Sequence, residues 1–86
     1  PWIHRAYALH ELGRTAEARD ALYPALTLFP TLGIIPYNLA CYACQSGQLE
    51  EARQLLRAAA QLDEKSLVYA AEDEDLKLLW PELPET

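Results

Sequence analysis

Residues 38–62, NLACYACQSGQLEEARQLLRAAAQL, decide the fold, because the same pattern stands earlier as HRAYALHELGRTAEARDALYPALTL over residues 4–28. A shift of 34 places Ala6 on Ala40, Gly13 on Gly47, Glu17 on Glu51, Ala18 on Ala52 and Arg19 on Arg53. Leu22, Ala25 and Leu28 then fall on Leu56, Ala59 and Leu62. Self-similarity at one fixed period marks a stacked repeat, in which each unit buries its apolar face against the next. The coinciding residues suit that role. Small residues recur where helices must approach closely, leucines where a core must be filled, and glycine where the chain must turn.

Within the quoted stretch, Ala52, Leu55, Leu56, Ala59 and Leu62 keep helical spacing with no Pro or Gly between them, which predicts a helix over 49–62. The helix before it tolerates Pro36 in its first turn and runs through Leu39, Ala40 and Ala43 to about Ser46, where Gly47 closes it. The earlier copy predicts a helix from Trp2 to Leu12, with Trp2, Ala6, Leu9 and Leu12 on one face and Gly13 at its end. Thr15 is expected to cap a second helix over 16–29 that carries Ala18, Leu22, Ala25 and Leu28 or Phe29 on one stripe. Pro24 has no N–H for the Asp20 carbonyl, so a kink rather than a break is expected there, and Pro30 stops the helix. Downstream, Asp63–Ser66 reads as a turn and Leu67–Ala71 as helix. Asp73 reads as the cap of a short helix, Glu74–Trp80, before Pro81, and Pro84–Thr86 as a frayed tail.

The fold class that follows is all-α: an α-α superhelix of two stacked helical hairpins plus C-terminal capping helices. One domain is expected over 1–80, with repeat one about 1–32, repeat two about 33–64, a capping segment about 65–80 and a tail at 81–86. The cap would turn Leu67, Val68, Leu76, Leu79 and Trp80 inward and its acidic side to water. Pro1 stands one residue before a helical pattern and the chain has no Met, so it reads as a piece of a longer repeat protein or one whose first residues are missing.

About half of the 86 residues are apolar and about a quarter charged, an ordinary balance for a globular chain of marginal stability. Residues 1–47 are balanced, with Glu11, Glu17 and Asp20 against Arg5, Arg14 and Arg19, so the net charge of -6 lies after Gly47. An acidic chain without a basic stripe excludes nucleic acid and anionic membrane surfaces as expected partners. No run approaches the ~18–20 apolar residues of a membrane span. The acidic run Glu72–Asp75 reads as a solvated helix boundary, with attraction of a basic partner as the alternative.

Over about residues 2–64 the chain resembles the tetratricopeptide repeat family. The resemblance is carried by Trp2, Ala6, Gly13, Ala18, Leu22, Ala25 and Pro30, then by Leu39, Ala40, Gly47, Ala52, Leu56 and Ala59. Tyr37–Cys41 with Gly47 and Glu50–Ala52 looks like a bacterial version of the repeat. The chain departs from the family at Glu64, where Pro is usual, at Leu9 and Ala43, where an aromatic is common, and at Pro24. The resemblance implies a concave face that binds an extended peptide of a partner protein. In this chain it would be formed by Ile3, His4, Tyr7, His10 and Glu11 with Ile34, Tyr37, Asn38, Cys41, Cys44 and Gln45. Tyr7, His10, Tyr37, Asn38, Cys41 and Gln45 are the candidate peptide-binding residues. Asn38 stands where the family holds a ligand's backbone, and its amide both donates and accepts. The carboxylate clamp of some members is not matched. Its places hold Ile3, Tyr7, Val68 and Glu72, with only Asn38 retained, so a charge-assisted anchor is lacking.

Cys41 and Cys44 form a C-x-x-C on a helix. A redox pair or half of a zinc site with His4 or His10 is one reading; two small thiols packed between helices is the other. Free thiols of this kind point to a reducing cytoplasm. Three glycines, all at turns, make no phosphate cradle, and the acidic run lacks EF-hand spacing. The expected function is therefore protein–protein recognition, with neither catalysis nor cofactor. The alternative is a structural repeat that packs on another copy, a homo-oligomer, or on missing repeats.

Overall fold

The computed structural model describes residues 2–11 and 13–84, with the side chain of Trp2 outside that description. The expectations placed on Leu12 and on the Trp2 side chain therefore lie outside the described residues. Six α-helices follow one another: α1 (Trp2–Glu11), α2 (Thr15–Leu22), α3 (Ala25–Leu28), α4 (Ile34–Gln45), α5 (Leu49–Leu62) and α6 (Lys65–Ala70). A 3-10 helix, Glu74–Glu82, ends the order, and no strand occurs among the described residues. The chain is all-α, as its period predicts.

Both hairpins turn by the same device. At the end of α1 the Gly13 N–H donates to the His10 carbonyl and the Arg14 N–H to the Leu9 carbonyl, each at 2.9 Å. At the end of α4 the Gly47 N–H donates to Cys44 at 3.1 Å and the Gln48 N–H to Ala43 at 2.9 Å. Two such bonds around a left-handed residue form a Schellman motif, and Gly13 and Gly47 hold φ of 77° and 80°. A side chain is strained in that region, which explains why glycine recurs at this register.

The core gathers around α4. Ile35, Pro36 and Leu39–Cys44 are buried there, α5 adds Ala52, Leu55, Leu56 and Ala59, and α2 and α3 add Ala18, Leu22 and Ala25. Leu76 and Leu79 of the 3-10 helix close the far side. An arginine repeats its task along the stack. Arg19 on α2 forms an ion pair with Glu51 on α5 at 3.3 Å, and Arg53, its counterpart in the second unit, grips both carboxylate oxygens of Glu82 at 2.6 and 2.9 Å. The 3-10 helix thus receives from α5 the contact that α5 receives from α2.

Several expectations are corrected. Pro24 interrupts the predicted 16–29 helix instead of kinking it. Tyr23 and Pro24 keep right-handed helical angles, but the hydrogen bonding shifts to Leu26 N–H on Tyr23 and Thr27 N–H on Pro24. Within α3 only Ala25 is buried, and Leu28 and Phe29 lie exposed, with no helix among the described residues covering that side. Thr15 does not cap α2. It is the first residue of the helix, Arg14 takes the cap position, and the Thr15 hydroxyl is 3.2 Å from His10 Nδ1. Leu62, Val68 and Trp80 are exposed as well, although the Trp80 indole N–H donates to the Ala70 carbonyl. Lys65 and Ser66 belong to α6, where Ser66 Oγ donates to the Ala59 carbonyl. The last helix continues through Pro81 to Glu82. Asp73 does cap it, accepting from the Asp75 N–H.

Candidate functional site

The start of α4 faces the segment 63–74, which runs from the α5–α6 turn through α6 to the start of the 3-10 helix. Between them runs a groove of about 710 Å³, lined by Gly33, Ile34, Tyr37 and Asn38 from the start of α4, Asp63 and Ser66 around the α5–α6 turn, and Tyr69 with Glu72–Glu74 from the end of α6 onward. Gly33 lies at its base against the end of α5, where a Cβ would make only ordinary contacts, 3.5 Å from Leu62 Cβ and 3.7 Å from the Ala59 carbonyl. Ile34 and Tyr69 are largely exposed in this groove, while Tyr37 and Asn38 are half-buried.

The acidic segment crosses the rest of the α4 face. Tyr37 donates its hydroxyl to Asp73 at 2.9 Å, Cys41 Sγ lies 3.8 Å from the same Oδ2, and the Gln45 amide donates to Asp75 at 2.9 Å. His10 joins from α1: its ring stacks obliquely on Tyr42 with centroids 5.3 Å apart, and its Nε2 is 3.9 Å from Asp75 Oδ2. Burial, with Asp73 adding to it, pushes the Tyr37 hydroxyl and the Cys41 thiol well above their ordinary pKa values. Cys44 is raised by burial too. Both thiols are free and stay protonated near neutral pH, which makes them poor nucleophiles. Asp75 is also raised, chiefly by desolvation and next by Asp73.

The six residues read from the sequence therefore fall into different settings. Tyr37 and Asn38 line the groove. Cys41, 5% exposed, lies under Asp73, and His10 and Gln45 face Asp75. Tyr7 is 58% exposed on α1, away from the groove lining. The sequence pattern does not mark Asp63, Tyr69, Asp73 and Glu74 as groove residues, whereas it sets Glu72 on the binding face as one of the unmatched clamp positions. Continuing the period one unit further puts Glu72 at the place of Asn38, but it does not lead to the other four. The metal pairing also differs. Among the described residues the side chains close enough to share an ion are Cys41, Asp73 and Asp75, with ligand atoms within 4.8 Å of one another, rather than Cys41 and Cys44 with a histidine. The Asp residues come from a segment that returns over α4, which helix spacing alone does not reveal.

No helix of the described residues is long and apolar enough to cross a membrane. No curated protein and no solved structure matches the chain. The family model described as Tetratricopeptide repeat matches residues 37–66, a span that runs from Tyr37 in the groove through α5 to Ser66 on the groove's opposite wall. Residues 37–66 thus match a tetratricopeptide repeat, and the hairpin before them repeats the 34-residue register and the same glycine turn.

Proposed function

We propose that the chain binds a peptide segment of a partner protein in the groove between α4 and α6, without catalysis. Tetratricopeptide repeats are protein-interaction modules, which gives the general class. The finer reading is supported by one observation above the rest: a single groove is lined by the half-buried Asn38 together with Tyr37, Tyr69 and Ile34. An amide that donates and accepts matches a peptide backbone, and tyrosines add amphipathic contact area at low entropic cost. Tyr37 and Asn38 are the direct contacts in this reading. His10, Cys41 and Gln45 seat the acidic segment that forms the groove's end, and Tyr7 extends the face toward α1.

The test is capture of a partner by the parent chain and by Asn38→Ala and Tyr69→Ala, with circular dichroism as the check on folding. Loss of capture with unchanged helicity supports the groove. Undiminished capture by both variants overturns it. A second reading, self-association, is favoured by the exposed Leu28, Phe29 and Leu32 around the α3–α4 connection and by Leu62 beside Gly33. Sedimentation separates the two: a concentration-dependent dimer that dissociates on Phe29→Ser and Leu32→Ser assigns that end to assembly.

A further inference from the structure

The groove's lining contains four carboxylates, Asp63, Glu72, Asp73 and Glu74, and no Lys, Arg or His. Among the described residues none of the four forms an ion pair with a basic side chain. Most of the described acids elsewhere behave differently: Glu17, Asp20, Glu50, Glu51 and Glu82 each face an arginine. Two of the groove carboxylates have backbone or hydroxyl donors. Asp63 accepts from the Lys65 N–H, and Asp73 from Tyr37 and the Asp75 N–H. Those bonds fix where the oxygens point but leave the charge unneutralised. The groove thus combines apolar and aromatic side chains with four acidic ones, and like charges lining one cleft focus their field where a ligand would lie.

We infer that the groove selects a cationic peptide, one in which Lys or Arg alternates with apolar residues. The apolar side chains rest on Ile34 and Tyr69 while the cations reach Glu72 and Glu74. This inference rests on the groove being a peptide site. Charge complementarity of this kind contributes mainly specificity and association rate, and it weakens with salt. It is the opposite of a carboxylate-gripping surface, and it gives the acidic run a use beyond solvation.

The probe is a phage-displayed library of random peptides selected on the intact chain, followed by fluorescence polarisation with the selected peptides. Enrichment of Lys and Arg is expected. Affinity should fall at least tenfold from low to high salt and at least tenfold in Glu72→Gln/Glu74→Gln. The control Glu17→Gln/Asp20→Asn, which removes two charges from α2 instead, should leave it within twofold. If both double variants weaken binding equally, net charge and not the groove attracts the peptide, and the inference falls. If selected peptides lack basic residues yet lose binding in Asn38→Ala and Tyr69→Ala, the cationic preference is wrong while the groove remains the site. If selected peptides bind Asn38→Ala and Tyr69→Ala unchanged, or no peptide is selected at all, the groove itself is overturned and the inference with it.

Discussion

The two hairpins carry matching residues 34 positions apart, yet they are buried very unequally. In the second, α4 buries eight of its residues, from Ile35 to Cys44. In the first, the described side chains of α1 contribute only Ala6 to the buried core, and Tyr7, its neighbour, faces water. The difference is one of neighbours rather than of local sequence. α4 is packed by α2 and α3 on one side, by α5 on the next and by the 3-10 helix on a third, whereas α1 packs chiefly on α2. A repeat's stability is the sum of its own folding and its interfaces, so the central unit gains twice and the end unit once. It is also the central unit, residues 37–66, that the family model matches.

The sharpest way to break that comparison is to empty its centre. Leu39 is fully buried in α4, and Leu39→Ala should cost about 2–5 kcal/mol, the range for a leucine whose cavity stays open. Leu28→Ala, at the exposed end of the first hairpin, should stay within about 0.5 kcal/mol. Urea denaturation of both measures the contrast. Equal losses would show that the α3 end is covered in solution, by a second copy for instance.

Overfilling gives the next largest effect. Ala52 and Ala59 have no exposed surface where α5 meets its neighbours, so Ala52→Leu and Ala59→Leu should each cost about 1–3 kcal/mol. An unchanged melting temperature for both would contradict the stacking register.

The turn glycines test whether the hairpins are locally alike despite their unequal burial. Neither Gly13 nor Gly47 has an atom within 4 Å of where a Cβ would sit, so space is not the constraint; the positive φ is. Gly13→Ala and Gly47→Ala should therefore cost the same, about 1–2 kcal/mol each. A markedly larger loss at Gly47 would mean that the central hairpin tolerates less relaxation of its turn.

That equality explains how much of the molecule was legible beforehand. The period, the glycine turns and the 49–62 helix depend on local chemistry, and they stand in the structure at the residues the sequence indicates. What local chemistry leaves open is what covers each face. Leu62 and Leu28 carry the same apolar pattern as Leu56 and Leu22, but only the latter pair has neighbours to bury it. Thr15 has the right chemistry for a cap, and its hydroxyl meets His10 instead. At the site, the helical face holding Tyr37 and Asn38 could be read from spacing. The return of Asp73 and Asp75 across Cys41 and Gln45 could not, because it depends on where a segment about 30 residues later docks.

The smallest predicted effect probes that docking through its charge. Asp75 sits partly buried in the segment that gives α4 its third covering, and desolvation, then Asp73, raises its pKa, with His10 acting in the other direction. Glu11 and Glu74 add like charge around it, and Gln45 donates to it. A carboxyl with a raised pKa in the folded state costs stability while it is ionised, and that cost is relieved as pH falls through the raised value. Asp75→Asn keeps an oxygen for Gln45 and never ionises, so it should raise the melting temperature at neutral pH. Its advantage should shrink as the parent's Asp75 protonates. Because part of the carboxylate stays in contact with water, screening keeps the gain below about 1 kcal/mol, or less than about 8 °C for a chain of this size. Thermal melts of both proteins across the acid-to-neutral range check it. If Asp75→Asn is instead the less stable protein at neutral pH, the Asp75 carboxylate holds its segment on α4 rather than being tolerated there. The third covering of α4 would then depend on that charge, and the inequality between the hairpins with it.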